Sequence, residues 1–158
     1  MRLALYEPDI PQNAGTLMRL GACLGVPVDI IEPCGFVFDE RRMRRAGMDY
    51  LDQVDLTRHV SWTAYEAARL EQGRRLILLT TKADSAYTDF EFTSEDTVLL
   101  GRESAGVPDE VHQTADARII VPMTEDARSL NVAVAAAMVL GEGLRQTYGF
   151  PVILKEQE

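Results

Sequence analysis

The chain has 158 residues, 46% hydrophobic and 26% charged, which suits one folded domain with a buried core and excludes a disordered tail or a two-domain enzyme. Its net charge of -9, from 16 basic and 25 acidic residues, argues against a nucleic-acid partner when taken whole, because phosphate contacts need Lys and Arg. The acidic excess is local, however. Residues 1–82 hold 11 basic and 11 acidic residues, whereas residues 83–158 hold 5 and 14.

Several classes of protein are disfavoured by what the chain lacks. Its longest apolar runs are far shorter than a membrane span, and its start does not have the pattern of a signal sequence. Cys23 and Cys34 are too few for a disulfide framework, and His59 and His112 belong to no metal-ligand motif. We therefore expect a soluble cytoplasmic protein without membrane attachment or a metal.

Short apolar runs alternate with helical patterns along the chain. Apolar, β-rich runs predict strands over residues 3–6, 28–31, 54–56, 76–80, 98–100 and 119–121. Periodic apolar residues and capping residues predict helices from Asn13 to Gly25, over 38–46, over 61–72 with Ser61 as cap, after Pro108, and over 129–148.

Strands that alternate with helices and read as continuous apolar runs are typical of a parallel sheet covered on both faces. We therefore predict an α/β fold in a single domain over residues 1–158. The polar stretch 83–96 is expected to be a long loop, and the tail from about residue 150 is expected to be mobile.

Ligands of parallel α/β sheets bind beyond the carboxyl ends of the strands, so the segments that follow strands are candidate sites. After the first strand, EPDIPQNAGTLMR places Asn13, Gly15 and Arg19 at the opening of a helix. Gly15 allows a ligand to approach closely, and Arg19, one turn further on, is expected to point at the same region. Alternatively, Asn13 only caps the helix and Arg19 is solvated.

The segment GRESAGVP follows the strand that ends at Leu100. Gly101 and Gly106 can expose backbone N–H groups to a ligand, and Glu103 adds a carboxylate. A plain strand-to-helix turn would need only one glycine and no inward carboxylate, so the pattern favours a ligand site. A single match of this kind is weak evidence.

The segment PMTEDARSLNVAVAAAMVL precedes and opens the last helix. Ser129 can cap this helix and Asn131 follows in its first turn, where free N–H groups favour polar or anionic ligands. The small residues of the helix suit either a tight core or close packing across a dimer interface: Ala133, Ala135, Ala136 and Ala137.

Together the three segments are far more specific than any one. EPxIPQNxGxxxR, LGxExxGVP and IIVPMxxxxRSLNVAxA resemble, in this order, the motifs of the SPOUT class of RNA methyltransferases, over nearly the whole chain. The segments IIEPCGF and RRAGMDY are similar to the bacterial tRNA 2'-O-methyltransferases that modify the wobble cytidine or uridine, the TrmL type.

This resemblance implies a homodimer with active sites shared between chains, a C-terminal deep trefoil knot, and S-adenosylmethionine as cofactor. The cofactor contacts that it implies are Leu79, Gly101, Val121, Met123, Ser129 and Leu130. The catalytic residues that it implies are Asn13, Arg19, Glu103, Ser129 and Asn131. Arg19 would act as base or as aligner, and a guanidinium stays protonated in ordinary surroundings.

The expected partner is the anticodon stem-loop of leucine-type tRNAs. Its candidate contacts are basic residues, four of them in the stretch RRMRR: Arg41, Arg42, Arg44 and Arg45, with Arg58, Lys82 and Arg128 elsewhere. A solvated basic face is the alternative interpretation. Arg102 departs from the family pattern, and either a phosphate contact or an ion pair with Glu103 or another carboxylate would explain it.

Two other functions remain open. The catalytic motifs do not encode the target, so the same reaction on another tRNA position or on rRNA is one alternative. The other is a non-enzymatic RNA-binding module. The joint presence of Asn13, Arg19, Glu103, Ser129 and Asn131 argues against the second alternative.

Overall fold

The computed structural model describes residues 1–45 and 49–153. Within them, six strands form one parallel sheet in the spatial order β3-β2-β1-β5-β4-β6. In chain order the strands are β1 (Arg2–Tyr6), β2 (Val28–Ile31), β3 (Leu56–His59), β4 (Arg75–Leu79), β5 (Asp96–Leu100) and β6 (Ala117–Ile119). The predicted parallel α/β sheet is confirmed.

Helices cover both faces of this sheet. They are α1 (Pro11–Leu24), α2 (Glu40–Arg45), α3 (Trp62–Glu71), α4 (Asp109–Thr114) and α5 (Val132–Thr147), with 3-10 turns at Asp49–Asp52 and Tyr87–Asp89. Because side chains alternate along a strand, Leu3 and Leu5 pack with α1 and α5, whereas Ala4 and Tyr6 pack with α3 and α4. Both faces of β1 are therefore buried.

Two predicted strands are displaced at the edges of the sheet. The expected strand 54–56 lies at Leu56–His59, and the expected strand 119–121 lies at Ala117–Ile119. Val54 and Val121 are buried in the core beside α1 and α5 without forming ladder pairs. Burial without pairing produces the same apolar signal as a strand, and this explains both displacements.

Two predicted helix caps were wrong. Helix α1 begins at Pro11 with Ile10 as its N-cap, so Asn13 lies inside the first turn. Helix α5 begins one residue after Asn131, which caps it, so Ser129 lies before the helix. In both cases the Asn side chain makes contacts with other motifs, described below.

The ends of two predicted segments lie outside the residues that the structure describes. Residue 46 of the predicted helix 38–46 and residues 154–158 of the tail are not among the described residues. No helix in the described part of the chain is long and apolar enough to cross a membrane.

Candidate active site

The loops that follow β4, β5 and β6 converge on one cavity of about 430 Å³. Since all strands are parallel, these loops leave the sheet at the same edge. The cavity is lined by apolar side chains, glycine backbone and a few polar groups: Ile10, Asn13, Leu78, Leu79, Thr80, Thr81, Leu100, Gly101, Arg102, Glu103, Gly106, Val107, Ile120, Val121, Met123, Ser129, Leu130, Asn131, Val132 and Ala135.

This cavity brings together most of the residues singled out in the sequence. All six residues expected at the cofactor line it: Leu79, Gly101, Val121, Met123, Ser129 and Leu130. Four of the five expected catalytic residues do so as well: Asn13, Glu103, Ser129 and Asn131. Side chains that lie more than a hundred residues apart in the chain thus share one site.

Arg19 is the exception, because it lines a second cavity of about 620 Å³ on another side of α1. Residues six positions apart in a helix are separated by about 240° around its axis, so Asn13 and Arg19 point in different directions. Gly15 lies one turn before Arg19 and lines the second cavity with it. Gly15 and Arg19 thus share a side, but this side faces away from Asn13.

A chain of hydrogen bonds joins the three motifs at the first cavity. The Asn131 Oδ1 atom accepts the N–H groups of Ala133 (2.8 Å) and Val134 (3.3 Å), which caps α5. The Asn131 Nδ2 atom then donates to Asn13 Oδ1 at 3.0 Å. The Asn13 Nδ2 atom in turn donates to Glu103 Oε1 at 3.3 Å. Each amide is held in one orientation, because its oxygen accepts on one side and its nitrogen donates on the other.

Asp9, which was not among the residues predicted for the site, holds the end of this chain of hydrogen bonds. The Asp9 backbone N–H donates to Glu103 Oε2 at 3.2 Å, and the Glu103 backbone N–H donates to Asp9 Oδ1 at 3.1 Å. The Ser104 hydroxyl also donates to the Asp9 carboxylate. Two short loops are thereby clamped together. The one signal in the sequence was a carboxylate two residues before the PQN of the first motif.

The two carboxyl groups of this clamp differ in their acidity. Burial, followed by the neighbouring Asp9, raises the pKa of Glu103 above its ordinary value. Hydrogen bonding from Glu103, together with the Ser104 hydroxyl, lowers the pKa of the more exposed Asp9 to about 2. Asp9 is therefore the ionised partner at every physiological pH, and Glu103 is the group that takes up a proton first on acidification.

The loop after β5 turns back on itself between Arg102 and Gly106, whose backbone groups exchange hydrogen bonds of 3.0 and 2.8 Å. A Cβ atom on Gly101 would lie 2.8 Å from the Gly106 backbone, so a side chain there would push the loop apart. The Arg102 guanidinium pairs with Glu7 at 3.4 Å. Of the explanations open for Arg102, the ion pair with a carboxylate other than Glu103 is the one observed.

The basic residues expected at RNA are exposed where their side chains are described. Arg42 and Arg44 lie on α2 near carboxylates, with Asp39 at 3.7 Å and Asp52 at 2.6 Å respectively. Arg41 is exposed on the same helix, whereas the Arg45 side chain is outside the description. Lys82 and Arg128 are exposed, each adjacent in sequence to a residue that lines the first cavity.

The Ala-rich start of α5 divides between core and surface. Ala133 and Ala136 are buried against α1 and the sheet, whereas Ala137 is exposed.

In the described ranges 1–45 and 49–153, no group of three or more His, Cys, Asp or Glu residues could hold a metal ion.

Residues 1–141 match the SpoU rRNA Methylase family. A relative from Beijerinckia indica subsp. indica, named tRNA (cytidine(34)-2'-O)-methyltransferase, is 66% identical over 144 residues, which are 91% of this chain and 90% of the relative. A solved structure that concerns the 2-OH methylation of C/U34 on tRNA is 39% identical with a TM-score of 0.84, and covers 92% of this chain and 94% of its own.

A more distant structure adds a ligand. The SpoU methyltransferase AviRb from Streptomyces viridochromogenes, in complex with the cofactor AdoMet, is 27% identical with a TM-score of 0.79, and the match covers 92% of this chain and 60% of that one. The resemblance read from the three motifs is thus confirmed over nearly the full length. The chain belongs to the SpoU methylase family, in its branch of tRNA (cytidine(34)-2'-O)-methyltransferases.

Proposed function

We propose that this chain transfers a methyl group from S-adenosylmethionine to the ribose 2'-oxygen of nucleotide 34 in the anticodon loop of tRNA, with leucine-type tRNAs as targets. The observation that carries the proposal is the hydrogen-bonded chain Asn131–Asn13–Glu103 at the mouth of a cavity that the expected cofactor residues line. The relatives named for the same reaction at cytidine 34 support it.

The first cavity fits S-adenosylmethionine in size and chemistry. Its volume of about 430 Å³ lies in the range of small-molecule sites. Apolar side chains suit the adenine ring, and the Gly101–Gly106 loop offers backbone groups at Gly101, where a Cβ atom would not fit. The proposed contacts are Leu79, Gly101, Val121, Met123, Ser129 and Leu130. Bound there, S-adenosylmethionine would supply an electrophilic methyl group. The sulfur–methyl bond would break as the bond from the ribose 2'-oxygen to the methyl carbon forms, S-adenosylhomocysteine would leave, and the 2'-proton would pass to water.

The polar side chains of the cavity would position the ribose. A 2'-hydroxyl is a weak nucleophile, so its alignment supplies much of the rate. Ser129 is exposed at the cavity and its hydroxyl can bind the ribose. Asn13 and Asn131 are held in fixed orientations by Glu103 and by the start of α5. Arg19 would align the RNA by a phosphate contact, because a guanidinium offers hydrogen-bond donors and no acceptor.

Arg19 can take part only if a second chain brings it to the cavity, since within one chain it lines a different cavity. We propose a homodimer for this reason. The exposed apolar residues Val134 and Met138 support α5 as the interface. In solution the expected mass is twice that of the 17.6 kDa chain, and a single-chain mass at micromolar concentration would contradict the dimer.

The proposal includes the C-terminal trefoil knot. Strand β6 lies at the edge of the sheet beside β4, yet α5 packs against α1 and β5 near its middle. The segment between β6 and α5 therefore returns across the loops after β4 and β5, and it lines the same cavity. A crystal structure traced through residues 101–131 tests whether the chain passes through a loop.

The central experiment is methyl transfer with purified protein, S-adenosylmethionine carrying a labelled methyl group, and individual tRNA transcripts. We expect label on the 2'-oxygen of nucleotide 34 in leucine-type tRNAs. Transfer to rRNA fragments but not to tRNA would replace the proposed target with an rRNA one. Cellular function that survives Arg19→Ala, with no cofactor binding by calorimetry, would favour the non-enzymatic alternative.

A further inference from the structure

The second cavity surrounds Arg19 with aromatic and basic residues that the proposed reaction does not use. It lies between α1, the segment after β2, α2 and the turn Asp49–Asp52, and measures about 620 Å³. Two exposed guanidiniums, those of Arg19 and Arg42, line it. None of the described residues that line it is Asp or Glu, in a chain with a net charge of -9. An anionic ligand would therefore be attracted here against the overall charge.

Aromatic rings accompany these cations. The Arg19 guanidinium lies 4.7 Å from the centre of the Tyr50 ring, and half-buried Phe36 forms another part of the wall. The Phe36 ring stacks with Phe38 at 6.5 Å and an angle of 30°. The Phe38 ring in turn lies 4.4 Å from the Arg58 guanidinium. Two pairs of a guanidinium and a ring thus lie on this side of the molecule, Arg19–Tyr50 inside the cavity and Arg58–Phe38 beyond Phe36. Arg58 also pairs with Glu32.

We propose that the second cavity receives one unstacked base of the single-stranded RNA substrate. The Tyr50–Arg19 pair and the Phe36 ring would provide the stacking surfaces, and Arg42 would contact a backbone phosphate. Aromatic and guanidinium planes beside a positive charge are the usual means by which proteins hold splayed-out bases. This inference rests on the proposed function only for the choice of RNA, namely an anticodon stem-loop.

A second copy of the chain is the other conceivable occupant. A partner segment that filled the cavity with apolar side chains would desolvate Arg19 and Arg42, and among the described residues only Arg42 has a carboxylate nearby, Asp39 at 3.7 Å. The proposed homodimer needs Arg19 to face the first cavity of the partner and does not need the second cavity to be filled. Charge complementarity therefore favours RNA, and the oligomeric state serves as one outcome of the test.

The experiment measures binding of fluorescently labelled anticodon stem-loops in the presence of S-adenosylhomocysteine, so that no methyl transfer is required. One RNA is intact, and the others each lack a single base of the loop. For wild-type protein, we expect removal of one particular base to weaken binding about tenfold or more. Tyr50→Ala should weaken binding of the intact RNA to a similar degree. For this variant, removal of the same base should cause no further loss of affinity. Tyr50→Phe should behave as wild type, because the ring remains.

A matched pair of arginine variants separates the cavity from bulk charge. Arg42 lines the cavity, whereas Arg41, its neighbour on α2, does not. Both substitutions by Ala remove one positive charge from the same helix. Arg42→Ala should weaken binding of the intact stem-loop several-fold more than Arg41→Ala does, in low and in moderate salt. Equal effects of the two substitutions would indicate diffuse attraction and contradict the phosphate contact.

Two results would overturn the base site. In the first, the fold-losses of RNA affinity caused by Tyr50→Ala and by base removal multiply at every loop position. The ring and each base would then act independently, and no base would stack on Tyr50. In the second, Tyr50→Ala changes the oligomeric mass and leaves RNA affinity intact, so that a second copy occupies the cavity. Thermal melting checks that the variant is folded. Failure of the proposed function would look different, since methyl label would then be absent from nucleotide 34 whatever the binding data show.

Discussion

At the scale of single residues, Asn131 serves the fold with its oxygen and the site with its nitrogen. The oxygen caps α5, and the nitrogen donates to Asn13. Asn131→Ala should lose the cap and destabilise the protein by about 0.5–2 kcal/mol. Asn131→Asp keeps an acceptor for the helix but places an oxygen opposite Asn13 Oδ1. We expect near wild-type melting for Asn131→Asp, with methyl transfer reduced about tenfold or more.

Calorimetric melting and initial rates on the same preparations separate the two effects. Ser129→Ala is the control for stability, because Ser129 lies before the helix and does not cap it. If Asn131→Asp melted as poorly as Asn131→Ala, the cap would not depend on the side-chain oxygen.

The pKa of Glu103 predicts an acid limit on activity. Both oxygens of its carboxylate accept hydrogen bonds, from the Asp9 N–H and from Asn13. Protonation removes an acceptor and frees Asn13, so kcat/KM should fall on acidification. The fall should begin above the ordinary range of a glutamate, because burial and Asp9 raise the pKa of Glu103.

Asp9→Ala removes a neighbouring carboxylate and should therefore lower the pKa of Glu103, which moves the acid limb of the kcat/KM profile to lower pH. Asp84→Ala is the control, since Asp84 is exposed on the loop after β4 and does not line the first cavity. A profile unchanged by Asp9→Ala would show that Asp9 does not influence the titrating group.

At the scale of elements, the loop after β5 is shaped by the absence of a side chain at Gly101. A Cβ atom there would lie 2.8 Å from Gly106 backbone atoms and 3.2 Å from the Val107 nitrogen, and backbone cannot rotate away. Gly101→Ala should shift the loop, destabilise the protein by about 1–3 kcal/mol and weaken S-adenosylmethionine binding more than tenfold by calorimetry. Gly141→Ala, which meets nothing within 4 Å, should leave cofactor affinity unchanged.

The sequence was informative where one local rule decides the structure. The continuous apolar run LILL predicts the buried strand β4, and Ser61 caps α3 as predicted. Edge strands were displaced because Val54 and Val121 are buried without pairing. The separation of Arg19 from Asn13 was not predicted, because the predicted helix had Asn13 as its cap, whereas Asn13 lies inside α1. Asp9 was missed because its partner, Glu103, is 94 residues away in the chain.

At the scale of the whole molecule, the net charge of -9 predicts how RNA affinity depends on salt. Each phosphate contact releases counterions, and for single strands log K falls by about 0.7 per contact for each tenfold rise in salt. Arg42 and Arg44 lie near carboxylates, which reduces the number of free cations. We expect few phosphate contacts and hence a shallow dependence. A steep loss of anticodon stem-loop affinity between 50 and 200 mM salt, of about a thousandfold or more, would contradict recognition by shape and fit.

The separation of Arg19 from the first cavity distinguishes two arrangements of the dimer. In a shared site, Arg19 of one chain completes the cavity of its partner, whereas in an unshared site each chain works alone. Arg19→Ala leaves Asn13, Glu103 and Asn131 intact, and Asn131→Asp leaves Arg19 intact. In a shared site Arg19→Ala removes the group that completes the partner's cavity, and in an unshared site it removes an RNA contact at the second cavity of its own chain. Each variant alone should therefore lose most of its activity in either arrangement, so single substitutions cannot distinguish them.

Mixing the two variants distinguishes the shared arrangement from the unshared one. When their chains exchange at random, about half of the dimers contain one chain of each kind, by the two-fold symmetry of a homodimer. In a shared site, one of the two sites in such a dimer pairs an intact cavity with an intact Arg19, so about a quarter of wild-type activity should return. In an unshared site, every site keeps its defect and no activity returns. The measurement is methyl transfer after co-refolding of the two variants at equal concentration, with each variant refolded alone as control.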